Sequence, residues 1–206
     1  MNFDQLERIN TESSQITLAG NFKINTDLDN QRQIIHFLIE SAVTDFNKSV
    51  FIKHLPNGKP YLTNSHQDLS ISHKENAYMI GLSKNFKIGV DVENLQRPMS
   101  SDFLQNYVLS DHEKKSGLHT VLKNKLSINE SEVGYYLWSI KEAFFKSLNT
   151  TDFHPRNYIV NFDNDNLQVL TSDGVLKSKN VQLFRRGHLI YVEVLFEDIS
   201  FHQPQT

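Results

Sequence analysis

Two carboxylates one residue apart in an otherwise apolar run, Asp91 and Glu93 of "KIGVDVENLQR" (87–97), call for a chemical explanation. Side chains on a strand alternate faces with period two, so both acids point to one side. Like charges that close repel and raise each other's pKa. A cation held between them removes the repulsion; an exposed strand face with two solvated acids is the plain alternative.

A second pattern lies in "WSIKEAFFK" (138–146). On a helix, Leu137, Ile140, Phe144 and Leu148 form one apolar stripe, while Trp138, Glu142 and Lys146, four apart, form another. The ordinary reading is a Glu–Lys pair on a solvated face, worth about 0.3–0.5 kcal/mol. The sharper reading makes Glu142 a third acid that meets Asp91 and Glu93. Three carboxylates converging from a strand and a helix need a cation, and hard oxygen donors favour Mg²⁺ or Mn²⁺ over zinc. Mg²⁺ keeps waters and takes its remaining ligands from substrate phosphates. Phosphate donors are at hand in "LSISHK" (69–74), with Ser72, His73 and Lys74, and in "NGKP", with Lys59. Each of these also reads as an ordinary solvated or hydrogen-bonded residue.

The elements that must position these groups follow from periodicity. Apolar residues at 35, 38, 39, 42 and 46 predict a helix over 28–46, capped by Asp29 or Asn30. Asn57-Gly58 is a turn signal before a short extended run. Strands are predicted at 68–73, 77–83 and 87–93, joined as hairpins by short polar links such as "KNF". Pro98 ends this region. "SDFLQNYVL" (101–109) reads as a short helix. "SDHE" (110–113) is a capping box with Ser110 at the N-cap and Glu113 at N3, and "NESE" (129–132) repeats that grammar before the longer helix of the second pattern. Beyond residue 155 come four strands, "NYIVNF", "LQVLT", "VQLFRR" and "HLIYVEVLF", and then a loose seven-residue tail. The order predicts an α+β class in two lobes, 1–98 and 99–206.

Composition sets outer limits. The 206 residues carry 38% hydrophobic side chains and a net charge of −3, enough for a core and unsuited to a general nucleic-acid binder. There is no cysteine, which excludes disulfides, thiolate catalysis and cysteine-ligated zinc. No N-terminal signal segment is seen, and no apolar run approaches the roughly 18–20 residues of a membrane span. The expectation is a soluble cytoplasmic protein with no membrane and no nucleic-acid partner. Walker, kinase and Rossmann glycine loops and H-E-x-x-H are absent.

In order along the chain, "NGKPYL", "LSISHK", "IGVDVE" and "WSIKEAFFK" resemble the four motifs of the surfactin-synthetase-activating type of 4′-phosphopantetheinyl transferases. "LSDHE" is similar to that family's linker. The likeness covers about residues 57–148. It implies a pseudo-dimer of two similar α+β lobes with the active site at the seam, acting as a monomer. It implies transfer of the phosphopantetheine arm of coenzyme A to a serine of an apo carrier protein (an acidic helical domain), with Mg²⁺, or Mn²⁺ in its place, and release of 3′,5′-ADP. Asp91, Glu93 and Glu142 would hold the metal. Glu142 would accept the serine proton, directly or through water, and Lys146 would reach the phosphates. Lys59, Pro60, Ser72 and His73 would contact the nucleotide end and its 3′-phosphate, with Arg32 placed for the same phosphate by position alone. Lys141 touches phosphate or solvent, and Trp138 and Phe144 are packing residues. The basic stretch 112–126, with Lys114, Lys115, Lys123 and Lys125, either steers the carrier or is an ordinary solvated segment. Two departures from the family pattern stand out: Lys74 after the Ser-His pair, and "SLNT" (147–150) where many members have a glycine-rich turn. A non-catalytic relative that binds coenzyme A or a carrier is the main rival reading.

Overall fold

The computed structural model describes residues 4–10, 15–22, 27–43, 50–148 and 150–197. Phe46 of the first predicted helix, Asn149 of the "SLNT" turn and the predicted tail lie outside the described residues. The chain opens with two strands that the sequence pattern did not announce, β1 (Asp4–Asn10) and β2 (Gln15–Asn21). Helix α1 (Leu28–Ala42) follows, then β3 (Ile52–His54), β4 (Pro60–Leu62), β5 (Asp68–Lys74), β6 (Ala77–Ser83) and β7 (Lys87–Asn94). Next come α2 (Ser101–Phe103), which runs into a π-helical stretch (Leu104–Val108), α3 (Asp111–Lys115), α4 (Leu118–Leu126) and α5 (Val133–Ser147). Strands β8 (Tyr158–Asp163), β9 (Asn166–Thr171), β10 (Ser178–Arg186) and β11 (Leu189–Phe196) complete a mixed α/β architecture with several small sheets.

Local chemistry explains most boundaries. The cap of α1 is Asp27, whose carboxylate accepts from Asn30 N at 2.9 Å, and not Asp29 or Asn30. Its apolar stripe, Ile35, Leu38, Ile39 and Ala42, packs on the sheet β1-β2-β6-β5. Both capping boxes form, Ser110 with Glu113 and Asn129 with Glu132. On α5 the stripe Leu137, Ile140, Phe144 and Leu148 is buried, as its spacing requires.

The hairpin predicted across "KNF" does not form. Strand β7 pairs antiparallel with β11 in the sheet β10-β11-β7, so the acid-bearing strand is ladder-bonded to the C-terminal strands. Its other edge is satisfied without a ladder. Alternate residues of β5 accept from it: Ile88 N donates to Asp68 Oδ2 (2.9 Å), Val90 N to Ser70 Oγ (3.0 Å) and Val92 N to Ser72 Oγ (3.3 Å). A comb of side chains thus joins two sheets, and buried amides find the partners they require. The apolar residues of β7 have cover on both faces. Ile88, Val90 and Val92 pack with Ala19, Ala77, Met79, Tyr191 and Leu195, and α5 lies across the strand. That approach is close because residue 89 is glycine: a Cβ there would sit 1.7 Å from the carbonyl oxygen of Ala143. Among the described residues no helix is long and apolar enough to cross a membrane.

Candidate active site

Strand β7 delivers Asp91 and Glu93, and α5 delivers Glu142. One carboxylate oxygen from each lies within 4.8 Å of the others. Asp91 is 2% exposed and Glu93 8% exposed, so water does little to screen them. Two ammonium groups offset three carboxylates. Lys146 Nζ lies 2.8 Å from Asp91 Oδ1 and 3.1 Å from Glu142 Oε1; Lys74 Nζ lies 3.0 Å from Glu93 Oε1. Burial, and then the Asp91 charge, push the Glu142 carboxyl above its ordinary value, with Lys146 pulling the other way. For Lys146, burial favours the neutral amine, but Asp91 and Glu142 outweigh it and hold its pKa above the usual lysine value.

These groups line a cleft of about 490 Å³ with Ser72, His73, Arg97 and Trp138. The predicted stripe of α5, Trp138, Glu142 and Lys146, faces it as a unit. Trp138 stands in an aromatic wall, its ring centroid 5.5 Å from Phe103 and 5.4 Å from Phe153. Phe144 is fully buried in the core.

The residues assigned to the nucleotide end divide. His73 lines the cleft, and burial, then Lys146 and Arg32, push its imidazole toward the neutral form. Ser72 is buried: its hydroxyl donates to Asp91 Oδ1 (2.9 Å) and accepts from Lys146 Nζ (3.2 Å). Lys59 and Pro60 line a second hollow of about 220 Å³ that shares Ile71 and Lys146 with the main cleft. The Lys59 amine lies 3.1 Å from Asp68 Oδ2 and 3.4 Å from Ser147 O, at the C-terminal end of α5. Arg32 sits on the exposed face of α1, 3.3 Å from Asp29, outside the cleft lining.

Lys141 touches neither phosphate nor solvent. It is fully buried and lies 2.6 Å from Glu113 Oε2. The lysines of 112–126 are largely matched by acids: Lys114 by Asp111, Lys123 by Glu130, Lys125 by Asp165. Sequence reasoning missed Ser139, which donates to Asp91 Oδ2 at 2.6 Å. Its position one helical turn before Glu142, on the same face, was the available signal.

The donor set suits a hard divalent cation. Three hard oxygens converge, their summed charge exceeds that of the two lysines, and the cluster opens on the cleft of about 490 Å³. No protein-family model matches the chain, and no curated protein matches it.

Proposed function

We propose that this chain is a Mg²⁺-dependent transferase that moves the 4′-phosphopantetheine arm of coenzyme A to a serine of an apo carrier protein. On this reading the molecule works as a monomer, a pseudo-dimer of two α+β lobes with the site at their seam. The observation that carries it is the convergence of Asp91, Glu93 and Glu142 on one cleft beside Lys146, within four motifs in the order that the transferase family shows.

Asp91, Glu93 and Glu142 would hold Mg²⁺, or Mn²⁺ in its place, which when bound supplies charge neutralisation of the diphosphate. Lys146 adds a point charge at the same phosphates. His73 offers a neutral imidazole, and Lys74, which holds Glu93, adds a second cation at the rim. Glu142 accepts the proton of the attacking serine hydroxyl, directly or through a water molecule. The serine oxygen bonds to the β-phosphorus and the bond to 3′,5′-ADP breaks. Positioning and electrostatics dominate, with little covalent work for the protein.

The test is direct. The protein is incubated with coenzyme A, Mg²⁺ and a panel of apo carrier domains, and intact carriers are weighed by mass spectrometry. A gain of one phosphopantetheine, absent with Asp91→Ala, is the expected result. Coenzyme A binding by calorimetry with no gain on any carrier would point to the binding-only relative instead.

A further inference from the structure

Ser139 sits in the middle of α5, fully buried. A helical serine commonly turns its hydroxyl back to the carbonyl four residues earlier. This one gives its single proton to strand β7, on Asp91 Oδ2 at 2.6 Å. That is a short, charge-assisted bond. The Asp91 carboxylate has about four acceptor positions. Oδ1 receives Ser72 Oγ (2.9 Å) and Lys146 Nζ (2.8 Å), and Oδ2 receives Ser139. Three directions are fixed by β5 and α5, and Oδ2 keeps the remaining capacity.

Ser72 and Ser139 are not equivalent. Ser72 also accepts from Val92 N and Lys146 Nζ, so it is part of the comb that holds β7 to β5. Ser139 is bonded through its hydroxyl to Asp91 from the helix that carries Glu142. It therefore couples the orientation of one strand acid to the helix acid.

We propose that Ser139 is a positioning residue that presents Asp91 Oδ2 to the divalent cation. This rests on the metal reading given above. Outer partners of metal ligands commonly control affinity by 10–100-fold. Without the hydroxyl, the Asp91 carboxyl is held through Oδ1 alone, by Ser72 and Lys146, and Oδ2 loses the donor that sets its direction.

The experiment is Mn²⁺ binding to the full chain without coenzyme A, read by the electron paramagnetic resonance signal of free Mn²⁺. Wild type, Asp91→Ala, Ser139→Ala and Ser139→Cys are compared. Cysteine keeps the shape and replaces the hydroxyl with a weak donor, so it serves if alanine disturbs the fold. The expected result is a Kd raised about 10-fold or more in both Ser139 variants, with apo melting close to wild type. In transfer assays the Mg²⁺ concentration for half-maximal rate should rise by the same factor, while the rate at saturating Mg²⁺ holds. If wild type binds Mn²⁺, Asp91→Ala abolishes it and the folded Ser139 variants bind as wild type, Ser139 has no such role and the metal reading survives. If wild type does not bind, or Asp91→Ala binds equally well, the metal reading fails and takes Ser139's role with it.

Discussion

Lys141 and Glu142 are neighbours on α5, yet they belong to opposite kinds of charged cluster. Lys141 and Glu113 are both fully buried and paired with each other. Glu113 accepts from Lys141 Nζ, Ser110 N and Oγ, and Val160 N, and Lys141 also donates to Val108 O. Burial pushes the Lys141 amine down and Glu113 pulls it back up. The pair ties α3, the π-helical stretch, β8 and α5 together. One residue on, Glu142 joins a cluster with three carboxylates, two ammonium groups and an open cleft. A closed, balanced pair can only hold the fold. An unbalanced cluster facing a cleft could hold a ligand that brings positive charge, which is the reading proposed above.

The largest effects should separate these two clusters. Glu142→Ala is expected to cut transfer by about a thousand-fold, measured by carrier mass. Its melting temperature should hold or rise, because a half-buried acid repelled by Asp91 is removed while Lys146 keeps Asp91 as partner. Lys141→Met should do the reverse. It leaves Glu113 buried without its cation and should cost about 3–5 kcal/mol in denaturant unfolding, while the folded fraction keeps its rate per molecule. Equal losses of stability in both variants would erase the distinction.

Much of this contrast was visible in the sequence, and the part that was not has a physical reason. Period-two and helical patterns marked β5, β6, β7, α5 and the last four strands, and capping boxes fixed two helix starts. Strand parity put Asp91 and Glu93 on one side, and helix spacing put Trp138, Glu142 and Lys146 on one stripe. That the two meet at one place was one of two readings of the spacing, and only the resemblance to the transferase family favoured it. The partner of Lys141 was not, because Glu113 lies 28 positions away and a capping box does not reveal what else its glutamate binds. The ladder of β7 with β11 was hidden for the same reason: pairing between distant strands leaves no local period. Asp68, Ser70 and Ser72 alternate as any solvated strand face would, yet they are the acceptors for the edge of β7. Strands β1 and β2 carried no pattern strong enough to be marked.

Gly89 sharpens the comparison from the backbone side. Its hydrogen allows β7 to meet α5 at a distance where a methyl would enter the Ala143 carbonyl and crowd Ser147 N. Backbone cannot yield as a side-chain tip does, so Gly89→Ala should displace the helix from the strand. Overpacking of this kind costs about 1–3 kcal/mol, and a misplacement near 1 Å can lower a rate by about a hundred-fold. Transfer should therefore fall together with stability, the hundred-fold rate loss corresponding to about 2.7 kcal/mol, read as rate per folded molecule beside unfolding free energy. A variant that unfolds easily yet transfers normally would show that the helix–strand distance does not govern the acid cluster.

Glu193 is a third case, a buried acid with neither a cation nor a cleft beside it among the described residues. It is 1% exposed on β11 and accepts from Gln15 Nε2 and Thr17 Oγ1 of β2. Burial raises its pKa above the ordinary 4.5, and the two neutral donors only partly oppose that. A raised carboxyl means that the folded state holds a proton more tightly than the unfolded chain. Its contribution to stability is then complete below the unfolded value and is lost as pH climbs through the folded one. Glu193→Gln keeps the shape and removes the titration, and both donors can turn to suit an amide. The difference in unfolding free energy, variant minus wild type, should be near zero or negative at pH 4 and should grow positive toward pH 8. Other titrating groups are common to both proteins and cancel in the difference. A flat difference across that range would mean that Glu193 is as well answered as Glu113, and that neutral donors alone can settle a buried carboxylate at this junction of two sheets.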